Sequence, residues 1–145
     1  MSEPCIFCDI VAGRAEATFV FRDAVCAAFM DIQPVNPGHV LVVPVEHAVD
    51  LGSTRPEVWR RVSDVGRSVA TALRASALRC EGVNLFLADG AVAGQEVFHT
   101  HLHVFPRFAR DGFELRFGEG YADRPPRGAL ETAAAAVRAG FRPPS

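Results

Sequence analysis

His99, His101 and His103 take alternate positions in Gln95-Glu96-Val97-Phe98-His99-Thr100-His101-Leu102-His103-Val104-Phe105-Pro106. Near neutral pH an imidazole can ligate a metal, move a proton or attack an electrophile. An alternation of period two suits a strand with two unlike faces. It would aim the three rings to one side and Thr100, Leu102 and Val104 to the other. Pro106 removes a backbone donor and is expected to end the ladder. Neighbouring rings on such a strand start roughly 6.5–7 Å apart, and the outer two about 13 Å apart. One metal could take two neighbours but hardly all three, so the spacing points to divided labour along a linear site. A solvated face seldom concentrates three of a chain's five histidines in five positions. A second group of reactive side chains is Cys5-Ile6-Phe7-Cys8, at the spacing of a zinc clip or a redox pair.

The elements that would hold these residues follow from the flanking pattern. Ile6, Phe7 and Ile10 fall on one side of a short N-terminal helix, and Gly13 fits its end. Thr18–Arg22 and Val25–Met30 read as a hairpin turning at Asp23-Ala24. Asp31–Gly38 is a loop with two prolines and a glycine. His39–Pro44 is nearly all apolar, as in a buried central strand. Ser53 and Thr54 offer helix caps. Val58, Trp59, Val62, Val65, Val69 and Leu73 then follow helical spacing, predicting a helix from about Arg55 to about Leu78. Val83–Leu87 is a further strand, and Ala88–Gly94 is a loop leading into the histidines. An Ala-rich helix over Ala129–Ala139 closes the chain. Hairpins and one long helix favour an α+β fold, an antiparallel meander of four or five strands.

The 145 residues, 49% hydrophobic and 22% charged, suit a single domain over 1–145 with an ordinary core. The net charge of −2 and scattered basic residues leave no field for nucleic acid. No basic leader or long apolar run is visible, so a soluble, cytoplasmic protein away from membranes is expected. In that compartment Cys5 and Cys8 suit a metal clip or redox pair better than a disulfide. Cys26 and Cys80 read as small core residues.

His99-Thr100-His101-Leu102-His103-Val104-Phe105 resembles the histidine triad (HIT) signature, His-φ-His-φ-His-φ-φ, with φ usually apolar. Cys5-Ile6-Phe7-Cys8, Ala28-Phe29-Met30-Asp31-Ile32, Pro37-Gly38-His39, Val43-Pro44-Val45-Glu46-His47 and Ala93-Gly94-Gln95 agree in order. The likeness is to the bacterial Hint-type branch and covers roughly residues 4–107, leaving 108–145 as an extension.

The resemblance implies a HIT-like α+β fold, an antiparallel sheet of about five strands, and commonly a homodimer. It implies a purine nucleotide (an AMP or GMP derivative), cleaved through a nucleotidyl-histidine intermediate. The substrate would be a phosphoramidate, an aminoacyl-nucleotide or a dinucleoside polyphosphate. His101 would be the nucleophile, with His103 and His39 steering protons and charge. A neutral imidazole suits that work, because it attacks at pH 7 without repelling a phosphate. Gly94 would let main-chain amides approach the phosphate, and Gln95 would donate an amide hydrogen. Asp31 would accept from the ribose hydroxyls, and Asn84 would contact phosphate or ribose. Ile6, Phe7, Ile10, Phe29 and Ile32 would line the base pocket, though such residues equally form plain core. A structural zinc would take Cys5, Cys8, His47 and His99, four N/S ligands with no open position.

Two positions depart from the pattern. Thr100 is polar where the family is usually apolar. Glu96 replaces a serine of the eukaryotic branch near the leaving group, where a carboxylate could act as an acid, hold an amine or repel a second phosphate. Two other functions stay open at this point. One is a nucleotide-binding regulatory or interaction protein with little turnover. The other is a hydrolase with a catalytic metal on the histidine strand, against which the lack of Asp or Glu inside the His-x-His-x-His run weighs weakly.

Overall fold

The computed structural model describes residues 3–145. The chain divides into two compact units, Met1–Phe113 and Glu114–Ser145. In the first, α1 (Ile6–Val11) is followed by the hairpin β1 (Phe19–Arg22) and β2 (Cys26–Met30), then β3 (Val40–Pro44), α2 (Pro56–Ala75), β4 (Gly82–Phe86) and β5 (Leu102–Arg107). The strands form one antiparallel sheet in the order β1-β2-β3-β5-β4. It is not a simple meander. α2 carries the chain from β3 to β4 across a one-strand gap, and β5 returns to fill it.

The two sheet faces explain the composition of the strands. Val62, Val65, Val69 and Leu73 of α2 pack on Cys26, Ala28, Val40, Val42, Leu102 and Val104. On the opposite face Phe7, Ile10 and Val11 of α1 pack on Ala27, Phe29, Leu41 and Val43. β3 is therefore covered on both sides, which is why it reads as a continuous apolar run. Six residues of α1 cannot cover the whole second face. Beyond them, where β5 and β4 lie, that face carries His103, Phe105, Asn84 and Phe86, with Phe86 opposite His103 and Asn84 opposite Phe105.

Several sequence expectations change here. The buried stripe of α1 is Phe7, Ile10 and Val11, and Ile6 is half exposed. Phe7, Ile10 and Val11 form the i, i+3, i+4 set, and Ile6 lies at the margin of that stripe, farthest round the helix from Val11. Ser53 and Thr54 do not cap α2, whose N-cap is Arg55 followed by Pro56. Thr54 instead donates its hydroxyl to the Asp50 carbonyl, and its Oγ1 is also hydrogen-bonded to the Thr100 hydroxyl. α2 ends at Ala75, where Ser76 turns away and returns its hydroxyl to the Leu73 carbonyl.

Pro106 does not end β5, which continues to Arg107. Its carbonyl accepts from buried Asn36 Nδ2 at 2.9 Å, on the side away from β4. In an antiparallel strand a residue's N–H and C=O share a side. The missing N–H thus costs β4 no hydrogen bond. Cys26 is fully buried in the core, and Cys80 packs against its edge.

The second unit contains α3 (Arg127–Gly140), a turn longer than the Ala-rich run alone suggests. Phe117 and Tyr121 stack at 3.9 Å within it. Among the described residues no helix is long and apolar enough to cross a membrane.

Gly66 sits where α2 crosses β5, and a Cβ there would lie 2.6 Å from Leu102 Cδ2. Gly66→Val is expected to lower stability by about 1–3 kcal/mol, because overpacking a close helix–sheet contact forces backbone shifts. Gly66→Ala should fall nearer wild type, since one Leu102 methyl can swing aside and alanine gains helix propensity. Urea midpoints of the two variants check this. A valine variant as stable as wild type would mean the crossing is looser than described.

Candidate active site and metal cluster

The three histidines are not all on the strand. β5 begins at Leu102, so only His103 lies within it. The β3–β5 ladder stops at Val42 and Leu102 because the next partners are already engaged. Pro44 has no N–H, and its carbonyl accepts from His99 Nε2 at 2.8 Å. The Thr100 N–H turns to the Ala48 carbonyl at 2.8 Å. Thr100 is buried with its hydroxyl bonded to Thr54, so a polar residue sits there without an unpaired group. The rings still share a side. Phe7 meets His99 and His101 edge-on at 5.8 and 5.1 Å, and His101 meets His103 at 4.8 Å.

Main-chain partners fix the tautomers of His101 and His39, and His39 in turn fixes that of His103. The His99 carbonyl can only accept, so His101 Nδ1 at 2.8 Å carries hydrogen and its Nε2 keeps the lone pair. The Val35 N–H points at His39 Nδ1 at 3.0 Å, so His39 holds its proton on Nε2. That Nε2–H donates to His103 Nδ1 at 2.9 Å. His103 is left with its own hydrogen on Nε2. Among the described residues no fully buried side-chain nitrogen or oxygen lacks a partner. The unpartnered Nε2 of His101 therefore reaches solvent.

Burial keeps the row neutral. Loss of water is the main cause lowering the pKa of His39 and of His101. His103 is pushed down to about 4 by burial and by the neighbouring His101 and His39. Asp31 opposes this modestly, its Oδ2 standing 3.5 Å from His39 Nε2. Its Oδ1 accepts the Gln33 N–H, so the carboxylate also caps its loop.

Cys5, Cys8, His47 and His99 converge on a second point, with all four ligand atoms within 4.8 Å of one another. Cys5 Sγ lies 3.4 Å and Cys8 Sγ 3.5 Å from His99 Nδ1. His47 Nδ1 is 3.3 Å from Cys8 Sγ and 3.2 Å from His99 Nδ1. Around tetrahedral zinc the S···N and N···N edges are roughly 3.5 and 3.3 Å. The donor set fits that metal. The Pro44 carbonyl also fixes His99 with its lone pair on Nδ1, facing the cluster. Burial and Cys5 push the Cys8 thiol up to about 11, so that thiol is poorly disposed to ionise without a cation.

The remaining candidates separate. Phe7, Ile10 and Phe29 are buried and form core behind the site, whereas Ile32 is 98% exposed. Asn84 lies on the same sheet face as His103, with Oδ1 accepting from Arg107 Nη1 at 2.7 Å. Gly94 takes φ +97 and Gly90 φ +99, on either side of a short 3-10 turn. Both Gln95 amide hydrogens are spent, on the Val49 and Val97 carbonyls, and its Oε1 holds the Gly90 N–H. Gln95 is thus a strut of the loop, and the expected donation to a phosphate is replaced by these bonds. Glu96 is exposed, and no hydrogen bond engages its carboxylate among the described residues.

Sequence reading missed Val35, Asn36, Pro44, Arg107 and Asp111. The first and third act through main-chain groups that residue type does not reveal. The Pro106-Arg107 pair just beyond the histidines was the signal available for the last two.

A row of buried imidazoles thus lies on the open part of a five-stranded sheet, with a Cys2His2 cluster at its start whose donors could hold a metal ion. The profile described as the HIT domain matches residues 12–110. The chain belongs to the HIT family. It is 43% identical over 115 residues to an uncharacterized HIT-like protein of Borreliella burgdorferi, covering 79% of this chain and 83% of that one. It is 32% identical to an adenylylsulfatase of Arabidopsis thaliana, covering 77% of this chain and 56% of the relative. The crystal structure of a Zn-bound histidine triad family protein from Mycobacterium smegmatis aligns with a TM-score of 0.73 and 38% identity, over 94% and 97% of the two chains.

The folded chain takes up the His103 proton only near pH 4, whereas its ordinary value is 6.5. The stability linked to that ring is complete above pH 6.5 and is lost as pH falls toward 4. Melting temperatures measured from pH 7 to 4.5 should fall more steeply for wild type than for His103→Gln. The metal cluster is common to both proteins, so the difference isolates His103. Parallel curves would show that the buried ring is not held neutral.

Proposed function

We propose that the chain binds a purine nucleotide and hydrolyses it at the α-phosphate. The observation that carries this is the fixed tautomer of His101, with Nδ1–H tied to the His99 carbonyl and the Nε2 lone pair reaching solvent. In the first step Nε2 attacks phosphorus, the bond to the leaving group breaks, and that group leaves with a proton from water. In the second, water attacks the nucleotidyl-histidine, giving the nucleoside monophosphate and free His101. His103 Nε2–H donates to a phosphoryl oxygen as charge builds. His39 holds that hydrogen in place through its own bond to His103 Nδ1. Asp31 accepts from ribose hydroxyls, and Asn84 donates to phosphate. The glycines of the Gly90–Gly94 loop let main-chain amides approach, braced by Gln95.

The relative named an adenylylsulfatase supports hydrolysis at a nucleotide. Amine, sulfate and polyphosphate leaving groups are the classes to compare, with Glu96 placed to favour an amine. Cys5, Cys8, His47 and His99 would hold one structural zinc. Bound there, zinc supplies a cross-link between α1 and the segment leading into β5. The Zn-bound mycobacterial relative supports this. Exposed apolar residues on both sheet edges, Phe19 and Phe21 on β1 and Leu85 and Phe86 on β4, support a homodimer.

AMP release from adenosine 5′-phosphoramidate should fall by at least about 10³-fold in His101→Ala, from the loss of the nucleophile. A rapid quench of wild type should trap a nucleotidylated His101. Wild type that binds AMP but never turns over amine, sulfate or polyphosphate substrates would instead mark a nucleotide-binding regulator. Wild type purified without chelator should carry one zinc per chain by elemental analysis, and Cys5→Ser should lose most of it. Metal-free wild type would sink the clip.

A further inference from the structure

The side chains at the far end of β5 form a buried ionic node beside the site. Asp111 is 2% exposed at its side chain. Its carboxylate accepts from Arg107 Nε at 2.6 Å and Nη2 at 3.1 Å, so the guanidinium is gripped at two points. The Phe108 and Phe113 N–H groups and Asn36 Nδ2 complete its partners. Arg107 donates further to the Phe113 carbonyl at 2.9 Å, and the Phe113 ring lies 4.7 Å from its guanidinium carbon. The hydrogen bonds from Arg107, with those from the Phe113 N–H, Asn36 and the Phe108 N–H, hold the Asp111 carboxyl well below the usual carboxylate range. Nothing in the proposed chemistry uses this node directly. What it touches is Asn84, through Arg107 Nη1.

That contact has a directional consequence. Arginine carries donors only, so Asn84 must turn its carbonyl oxygen to it. An amide flipped the other way would set N–H against N–H. The Asn84 amide hydrogens are thus aimed away from Arg107, and among the described residues they have no partner. Asn84 lies opposite Phe105 on the face that carries His103, one diagonal step from His103 itself. Diagonal neighbours of this kind stand roughly 7–8 Å apart, a span that one phosphate between them bridges.

We infer that Arg107, gripped by Asp111, is a positioning residue that locks Asn84 as a hydrogen-bond donor to the nucleotide phosphate beside His103. The inference rests on the nucleotide-hydrolase reading and adds how its phosphate specificity is set. A lone asparagine on a strand can present either end of its amide, and a phosphate accepts only from one. Arg107 removes the choice before the ligand arrives, which lowers the cost of ordering the contact.

The test uses adenosine 5′-phosphoramidate and AMP with the full chain. Asn84→Asp keeps an acceptor for Arg107 and so should fold with an undiminished melting temperature. It replaces the donor with a second carboxylate oxygen facing the phosphate, and KM should rise more than tenfold. Arg107→Lys should raise KM about five- to tenfold with kcat within about twofold, because lysine cannot make the forked grip. In the Asn84→Ala background Arg107→Lys should add nothing further to KM. A merely structural arginine would instead lower melting temperature and kcat and add its effect in full to that of Asn84→Ala. Additive effects, or an unchanged KM in Asn84→Asp, overturn the inference while the hydrolase reading stands. Wild type that neither binds AMP in a calorimetric titration nor cleaves the phosphoramidate overturns both.

Discussion

The hydrogen bond from His99 Nε2 to the Pro44 carbonyl fixes more of this structure than its 2.8 Å suggests. It lies wholly inside the protein, where an unmade hydrogen bond would cost on the order of 1–3 kcal/mol. It occupies the last acceptor of β3 and so stops the ladder before His101 and Thr100. It settles which nitrogen of His99 carries hydrogen, which leaves Nδ1 for the cysteine cluster. By holding the His99 backbone out of the ladder, it also frees the His99 carbonyl to accept from His101. The orientation of His99 toward the cysteine cluster and the tautomer of His101 thus both depend on one proline at the end of one strand. A residue with an N–H at position 44 would let β5 pair further, and His101 would lose its acceptor.

Neutrality is the second constraint, and it comes from packing rather than from partners. Burial is the largest cause lowering the pKa of His39, His99, His101 and His103. Three uncharged rings in contact need no counter-charge, and each can serve the next as donor or acceptor. The chain Val35 N–H, His39, His103 is a file of hydrogens all pointing the same way. Its direction is set by a main-chain amide at the far end, which cannot titrate. Asp31 near His39 pulls toward the charged form, but less than desolvation pushes against it. The result is a hydrogen-bond donor in His103 and a lone pair in His101, each on its own ring.

The sheet, the long helix and the two-sided burial of β3 were legible because hydrophobic periodicity reports burial directly. The convergence of Cys5, Cys8, His47 and His99 was legible through resemblance, since the four are spread over 95 positions and no local spacing joins them. Other features were hidden for identifiable reasons. Ile6 and Ile32 are apolar yet exposed, and residue type alone does not say which way a helix end or loop turns. The Gln95 side chain was expected to face a ligand, but its amide is consumed by the loop's own carbonyls. Pro106 was read as a stop, although a proline ends a ladder only when its nitrogen faces a partner. Strand order was beyond a local pattern, because the insertion of β5 between β3 and β4 depends on where α2 delivers the chain.

The site is therefore assembled from two ends of the sheet that no single element joins. At one end α1 and its cysteines abut His99, and Phe7 wedges between His99 and His101. At the other, Asp111 gathers Arg107, Asn36 and two main-chain amides, and through them steadies β4 and the loop that carries Val35. His101 and His103 lie between these anchors, on a face that α1 is too short to cover. An open face on a sheet would normally be the most pliable part of the fold. Here both margins are tied by polar clusters, each built around a buried member, His99 at one end and Asp111 at the other, so the rings between them keep one arrangement. That is what a nucleophile needs if its tautomer is to be set before the substrate arrives, since each hydrogen already in place is one that binding need not order.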